Sequence, residues 1–523
     1  MRGASVNNSN EYYKQASLTV GQLIGFNTTI RTRNESFSAY HSSQREPPLP
    51  VYLSLMLHTA TRNLDLIDDL SHLGICVSKH RLSQISKSMG NAVITAHELE
   101  GVVVPTSLNK QVFTTSSLDN LDVQVKSNFA KASLHGTAAS LNQHPKRYSV
   151  GLPRKKIELK IDDSRLKDLP DWYLDIQPFH LRDDILLESN TNTIPCVTVD
   201  EKILAEDLEW LEDESMTSWG VYHARKCTAV ESVASSAMLP IWRDDSKSPA
   251  TIKHVIDVLM NSTSFLNPGQ TAVIGMDQPL YAIAKKIQWE KPDFYGEKKL
   301  ILMLGSLHIE VVFLSCLGDW LEGSGWLTAL SNAGVTGPGN DSLCTGHSVA
   351  KSKYAHQVTV KVLYALMKNA YQDSSSELGF EDWRAQMESS SPLFQYWSIV
   401  LRMEQVYLLF MRSIRTASFD LYVYSLEKLL PWIFALDHHH YARWLSVHHY
   451  DMQMLQTTNP DIYEEFKVNG NFTVKRTKNP GSAMGLDQRH EQLNKDVKGN
   501  MQFFLCIKKR KIRSTEYRST LVE

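Results

Sequence analysis

The stretch that decides the fold is residues 271–309, which reads TAVIGMDQPLYAIAKKIQWE, a short charged bridge, and KKLILMLGSLHI. It opens with an apolar run rich in small and β-branched residues, which is typical of a buried strand. Asp277 follows where this run ends, and from Leu280 apolar residues recur at helical spacing. Residues 300–304 then form a second apolar run. This order predicts an α/β crossover with an acid at the carboxyl end of a strand, where open sheets place their chemistry.

Asp277 has two interpretations, since a strand-end carboxylate often only caps the following helix. Two further acids, Asp119 and Asp122, follow a β-branched run over residues 112–118. This run predicts a strand that ends where the acids begin. Residues 134–141 predict its partner strand. Two carboxylates three residues apart at a strand end can coordinate a hard divalent cation. The alternative is an Asx-rich turn that closes a hairpin.

A third acid comes from a polar helix predicted over residues 482–498. Its residues Asp487, His490, Glu491 and Asn494 recur at three-to-four spacing and therefore share one face. Directed toward a sheet edge, this face would supply Glu491 as the last carboxylate of a metal site. The alternative is a solvated charged face.

Composition describes an ordinary globular protein. The 523 residues suffice for two to four domains or for one core with a large insertion, with 42% hydrophobic and 21% charged residues. The net charge of −2 means that any nucleic-acid-binding surface must be local. Six cysteines without CxxC pairing argue against a disulfide framework or zinc finger and favour a reducing compartment. Charged residues interrupt the apolar stretch over 300–321, so no membrane span is expected.

The pattern divides the chain into six segments. They are a mobile N-terminal arm (1–48), a helical region (49–105), the first part of an α/β core (106–325) with an insertion at about 145–218, a helical block (326–468), a closing strand and helix (469–500), and a basic tail that departs in character from the rest (501–523). Within the core, residues 219–238 and 252–260 predict helices that precede the strand at 271–276.

Two further motifs each leave alternatives open. A helix, a turn at Gly74 and a basic helix that begins at Ser78 fit either a DNA-binding helix-turn-helix or a packing or dimerisation element. His440 and His448 share a helix face and fit either a metal site in an unrelated α/β protein or packing histidines. The basic residues that would contact DNA are Lys79, Arg81, Lys146, Arg147, Arg154, Lys155 and Lys156.

Several phrases carry a resemblance to a known family. They are PPLPVYLSLMLH, FTTSSLDNLD, LHGTAASLNQHP, LGSLHI, YARWLSVHHYDM and DQRHEQLN. Over about residues 20–500 the chain resembles transposon-derived animal proteins with a DDE transposase core. In the similar hAT-like arrangement, a helical block separates the last strand from the glutamate helix. The resemblance implies an α/β fold, with an RNase H-like mixed sheet flanked by helices, a large all-helical insertion and a small N-terminal helical region.

The resemblance also implies roles for particular residues. Asp119, Asp277 and Glu491 would be catalytic. The implied supporting residues are Asp122, His308 and His490, and the implied ligands of Mg²⁺ or Mn²⁺ are Asp119, Asp122, Asp277 and Glu491. His308 matches the histidine of the hAT C/D-x-x-H motif, whose first position is Gly305 here, and the resemblance implies that residues 305–308 belong to a strand.

The implied activity is metal-dependent phosphoryl transfer on DNA in the nucleus, by a protein that can be a homo-oligomer. A basic run over residues 508–513 fits a nuclear localisation signal. The alternative is a catalytically inactive, domesticated scaffold that binds nucleic acid or protein, since a transposon relic can keep the fold and lose the activity.

Overall fold

The protein folds as a mixed α/β structure in a computed structural model. The structure describes residues 9–33, 36–40, 46–124, 133–162, 164–182, 197–213, 215, 218–227, 232–337, 343–344, 346 and 348–507. None of the helices in this part of the chain combines the length and the apolar character that a membrane crossing requires.

Helices make up most of the described chain. They are α1 (Ser9–Asn27), α2 (Pro48–Thr61), α3 (Leu64–His72), α4 (Lys79–Glu100), α5 (Asp171–Leu174), α6 (Glu201–Glu212), α7 (Trp219–Lys226), α8 (Pro249–Leu266), α9 (Gln278–Glu290), α10 (Pro292–Tyr295), α11 (Ser306–Leu321), α12 (Trp326–Asn332), α13 (Val349–Asp373), α14 (Phe380–Ser390), α15 (Pro392–Thr416), α16 (Phe419–Ala435), α17 (His439–Thr458), α18 (Pro460–Lys467) and α19 (Leu486–Ile507). The strands are β1 (Thr29–Arg33), β2 (Ser36–Tyr40), β3 (Phe113–Gln124), β4 (Ser133–His144), β5 (Ser235–Met238), β6 (Ala272–Met276), β7 (Leu300–Leu304), β8 (Thr473–Lys475) and β9 (Ala483–Gly485).

A five-stranded sheet in the order β5-β4-β3-β6-β7 lies at the centre. Strands β3, β4 and β5 are antiparallel, while β6 and β7 run parallel to β3. Leu118 pairs with Met276, and Met276 pairs with Leu304, so the next residue of each of these three strands lies at the same edge. The predicted crossover of β6, α9 and β7 is confirmed, and every residue of both strands is buried.

Several other elements predicted from the local sequence pattern are confirmed. Residues 354–466 are mostly helical as predicted, and the stretch before Gly74, predicted to be one helix or a pair, forms the two helices α2 and α3. Ser78 caps α4 by accepting a hydrogen bond from the Arg81 N–H at 3.3 Å. The predicted strand near residue 473 is β8.

Two predictions about the elements are corrected. Strand β3 does not end at Asp119 but continues to Gln124, because β4 pairs with it along its whole length. The helix predicted over 219–238 ends at Lys226, because β5 forms instead and pairs with β4 between Ser140 and Gln143. Hydrogen bonding at the sheet edge has overridden the local helical pattern.

The N-terminal segment contains regular structure where a mobile arm was expected, and the insertion packs against the core. Residues 9–40 contain α1 and the β1–β2 hairpin rather than an irregular arm, and Phe26 of α1 packs into a small core with Ile67 and Val77. In the insertion, Tyr173 and Trp210 are completely buried in the main hydrophobic core. These large side chains fix the insertion to the fold, although most of its described residues have no regular secondary structure. The basic run at 508–513 lies outside the described residues.

Candidate active site

The site lies at the edge where β6 and β7 end, beside the middle of β3. The β3–β6 register brings Asp119 and Asp277 side by side on adjacent strands. Helix α19 crosses the same face of the sheet, because the Ser117 hydroxyl donates to the Leu486 carbonyl at 3.1 Å and Ser140 bonds to His490 at 2.8 Å. The fold therefore brings acids from distant parts of the sequence toward one edge.

Asp277 begins helix α9 as its N-cap. Its Oδ1 accepts a hydrogen bond from the Leu280 N–H at 3.3 Å, so the capping interpretation is confirmed. Burial raises the pKa of Asp277, an effect that the His308 charge and the Leu280 N–H only partly oppose. The same carboxylate is thus both a cap and a member of a charged cluster.

Asp119 is the most perturbed acid at this edge. It is 8% exposed. Burial and the negative charge of Asp277 raise its pKa to about 7, against the opposing charge of His308, and Glu491 adds to the rise. These causes place Asp119 within electrostatic reach of Asp277, His308 and Glu491. A carboxyl group that is half protonated near neutral pH is typical of a functional site.

His308 and Asp487 form the charged pair of the site. His308 Nδ1 lies 3.1 Å from Asp487 Oδ2. Burial alone would lower the pKa of His308, but the hydrogen bond and charge of Asp487, with Asp119 and Asp277, raise it to about 9. Burial would raise the pKa of Asp487, yet His308 and two backbone N–H groups hold it below its usual range.

Asp487 also caps helix α11, which is distant from it in the sequence. Its Oδ2 accepts hydrogen bonds from the N–H groups of Leu307 at 2.9 Å and His308 at 3.2 Å, in the first turn of α11. The N-cap residue Gly305 has no side chain to do this, and a Cβ there would lie 2.4 Å from Asp487 Oδ2. Glycine at the first position of the motif therefore makes room for Asp487.

This cap corrects one prediction. Residues 305–308 were expected to continue the strand, but α11 begins at Ser306, because Asp487 satisfies N–H groups at its start. The sequence pattern had placed Asp487 on one face with Glu491 but gave it no role. The available signal was a carboxylate at the start of the closing helix, opposite a helix that has glycine where a capping side chain would stand.

Glu491 and Asp122 differ in their relation to the cluster. Glu491 is half-buried on α19, 3.9 Å from Lys495, and its charge acts on Asp119. Asp122 lies three residues beyond Asp119 on the same strand and so projects from the opposite face. There it lies 2.7 Å from His135 and accepts a hydrogen bond from the Asn120 side chain at 2.9 Å. The structure brings Glu491 toward the other two acids but separates Asp122 from them.

His490 faces the sheet rather than the acids. Its ring is fully buried and bonds to Ser140 at 2.8 Å. Burial lowers its pKa to about 3, so it is neutral at physiological pH. This ring packs α19 onto β4, which is a structural contribution to the site.

The acids suit a hard divalent cation in donor type, because carboxylate oxygens are the ligands that Mg²⁺ and Mn²⁺ prefer. The mutual repulsion that raises the pKa of Asp119 is what a bound cation would relieve. Across the described part of the chain, however, no three His, Cys, Asp or Glu side chains stand close enough together to hold an ion. Asp119 and Asp277 fit as an adjacent pair of ligands, and Glu491 would have to approach them.

The histidine-rich helix has a packing role in its buried part. His448 is fully buried and lies 2.8 Å from the Tyr422 hydroxyl, with its ring against Tyr281. His440 is exposed. The two residues therefore do not meet, and α17 packs against α9 through aromatic contacts such as Trp444 on Trp289.

The predicted DNA-contacting residues fall into two groups. Lys79 pairs with Asp68, Arg81 with Glu46, and Lys146 with Glu465. Arg154 differs most from expectation, because its side chain is 4% exposed, pairs with Glu100 and donates to two backbone carbonyls. The members that are exposed to solvent are Lys79, Lys146, Arg147, Lys155 and Lys156.

The model of one protein family, described as Domain of unknown function (DUF8702), matches residues 218–382 and 369–503. Together the two matches span more than half of the 523 residues. The matched range contains Asp277, His308, Asp487 and Glu491, while Asp119 precedes it. No curated protein and no solved structure matches the chain.

Proposed function

The chain belongs to the DUF8702 family, whose description assigns no activity, and we propose that it is a transposon-derived, DDE-type transposase-like protein. Its reaction would be metal-dependent phosphoryl transfer on DNA, with Asp119, Asp277 and Glu491 as the catalytic acids. A DNA substrate would place the protein in the nucleus.

The order of elements supports this proposal. Three antiparallel strands are followed by two strands parallel to the first, then by a helical block and a closing helix that carries Glu491. This is the connectivity expected of an RNase H-like core with a hAT-like insertion.

The observation that carries the proposal is the convergence of like charges at one edge. Asp119 lies within β3 beside Asp277, which directly follows the adjacent parallel strand β6, and Glu491 reaches Asp119 electrostatically from α19. Such repulsion costs stability in the folded protein, and acids held in this way are typical of a site that binds a cation.

The chain's own groups would divide the chemistry between them. Asp119 and Asp277 would hold the ions, with Glu491 closing the site. When bound, two divalent ions supply an activated water or 3′-hydroxyl and stabilise the leaving oxygen. His308, which Asp487 keeps protonated, offers a positive charge to the phosphoryl oxygens or a proton to the leaving oxygen.

The test is strand cleavage of a labelled DNA duplex with Mn²⁺ or Mg²⁺, and with EDTA as the metal-free control. We expect Asp119→Asn, Asp277→Asn and Glu491→Gln each to reduce cleavage by at least 100-fold, on the order of what loss of a central electrostatic group costs. Asp122→Asn is the matched control, since it changes an acid on the same strand but on the other face. Cleavage that persists in all three variants would rule out the assignment.

One observation favours a second candidate function, a catalytically inactive scaffold that binds nucleic acid or protein. Within the described residues, no three ligands are gathered for an ion. A scaffold would bind DNA without cleaving it, and Mn²⁺ would not stabilise the wild-type protein more than Asp119→Asn. A Mn²⁺-dependent rise in melting temperature in the wild type alone would therefore exclude this alternative.

A further inference from the structure

A small hairpin lies beside the start of α19. Strands β8 and β9 pair in register, and the Lys475 carbonyl accepts a hydrogen bond from the Ala234 N–H at 2.8 Å. This bond fixes the hairpin to the residues just before β5. Arg476 is the next residue after Lys475, is exposed, and so lies near the same strand.

Arg489 reaches this place from α19. Its Nε donates to the Ser236 hydroxyl at 3.1 Å, and its Nη1 donates to the Gln492 side chain at 3.2 Å. Ser236 lies two residues beyond Ala234 on the edge strand, about 7 Å along it. The hairpin and the helix therefore bring the guanidinium groups of Arg476 and Arg489 to neighbouring points on one surface.

The two guanidinium groups share no acidic partner. In the described residues, neither lies within ion-pair distance of a carboxylate, and Asp496 is the acid that acts on Arg489 from further along α19. Burial and the charge of Arg476 both lower the pKa of Arg489. The exposed Lys478 adds a further positive charge to the hairpin.

Two arginines held together without a carboxylate, one of them half-buried and oriented by hydrogen bonds, fit the planar, bidentate recognition of a phosphate. We infer that Arg476 and Arg489 bind a backbone phosphate of the DNA on which the acid edge, formed by Asp119, Asp277 and Glu491, acts. This inference rests on the proposed function for the choice of DNA as the ligand.

The register gives the distance between the two sites. Ser236 pairs with Asn142, which pairs with Thr115, four residues before Asp119. The arginine pair therefore lies about 13 Å along the strands and about 10 Å across them from Asp119, on the same face of the sheet. The resulting ~16 Å is on the order of five base steps of duplex DNA. One short duplex can span both sites.

The test measures DNA binding in EDTA, where cleavage cannot occur, by fluorescence anisotropy of a labelled duplex over a series of salt concentrations. We expect R476Q/R489Q to bind on the order of tenfold more weakly and to lose about one to two units from the slope of log K against log salt. The matched control is K286Q/R443Q, which removes the same charge from exposed positions on α9 and α17. Melting temperatures of both variants check that the fold is kept.

The outcomes separate this inference from the proposed catalysis. Wild-type affinity and salt slope in R476Q/R489Q, or an equal loss in the control pair, would overturn the phosphate contact. Weaker binding in EDTA, with wild-type cleavage when DNA is saturating, would support it. Weaker binding by the variant when even the wild type shows no Mn²⁺-dependent cleavage would support the contact while the catalytic proposal fails.

Discussion

Two charged regions of this molecule, the acid edge and the junction between α9 and α17, differ in how their buried charges are compensated. At the junction, buried Lys285 donates to Asp451 at 2.9 Å and Gln288 at 2.7 Å, and reaches Glu297 at 3.3 Å. At the acid edge, like charges meet instead. The junction joins the crossover unit to the helical block, whereas the edge retains a repulsion that the charge of His308 only partly relieves. The comparison teaches that buried charges with opposite partners fit a structural role, whereas buried like charges that are only partly compensated mark a candidate site.

The largest effect is expected from breaking the junction. Lys285→Ala would leave Asp451 buried without its cation, and we expect a loss of about 3–5 kcal/mol in the free energy of unfolding, measured by urea denaturation. Lys286→Ala, one residue away and exposed, is the control and should change stability by about 0.5 kcal/mol or less. Equal effects in the two variants would contradict the contrast.

At the acid edge, a substitution is expected to raise the free energy of unfolding rather than to lower it. The pKa of Asp119 is raised to about 7, so the folded state binds the extra proton between about pH 4 and 7 and loses stability as pH rises through that window. Asp119→Asn should therefore stabilise the metal-free protein at pH 8 by on the order of 4 kcal/mol, at about 1.4 kcal/mol per pH unit of the window. Thermal unfolding at pH 4 and pH 8 measures the difference, which should be small at pH 4. A variant less stable than the wild type at pH 8 would refute the repulsion.

A smaller effect on stability is expected at the ion pair between His308 and Asp487, where the acid edge does pair its charges. The pKa of His308 is raised to about 9, so its pairing with Asp487 stabilises the fold fully below about pH 6.5, and this stabilisation is lost as pH rises through 9. Asp487→Asn should cost about 2 kcal/mol at pH 6 and clearly less at pH 10. NMR titration should show the pKa of His308 falling by more than one unit. An unchanged His308 titration would remove Asp487 from this role.

The smallest effect should come from Asp122. Its pair with His135 is exposed on both sides and lies on the other face of β3. Asp122→Ala should change the free energy of unfolding by no more than about 0.5 kcal/mol and leave the pH dependence of the Asp119 effect unchanged. A large change would mean that the two faces of the strand are coupled.

Local pattern was sufficient for the crossover unit and its acid. The apolar runs around Asp277 predicted both strands and the helix, since two fully buried strands have a distinctive composition. Pattern also selected Asp119, which follows a β-branched run, and Glu491, which lies on a helix face. It failed where partners come from distant parts of the chain. The extension of β3 depends on its pairing with β4, and the early start of α11 depends on Asp487.

The placement of side chains was the harder part. Asp122 and Asp119 look equivalent in sequence, and only the continuation of the strand sends them to opposite faces. Arg154 looks like a surface cation, yet tertiary packing buries it against Glu100. The pairing of Arg476 with Arg489 depends on where the β8–β9 hairpin is fixed, which no local pattern encodes.

The Asp487 cap has a consequence for the order in which the protein is made. Its hydrogen bond to the Leu307 N–H joins residues 180 positions apart, and the whole helical block lies between them. At ribosomal rates of about 5–20 residues per second, the carboxylate is added on the order of 10 to 40 seconds after the helix it caps. Glu491 follows four residues later. The acid edge is therefore completed only after the helical block has been synthesised, so a nascent chain that already contains Asp119 and Asp277 still lacks Asp487 and Glu491.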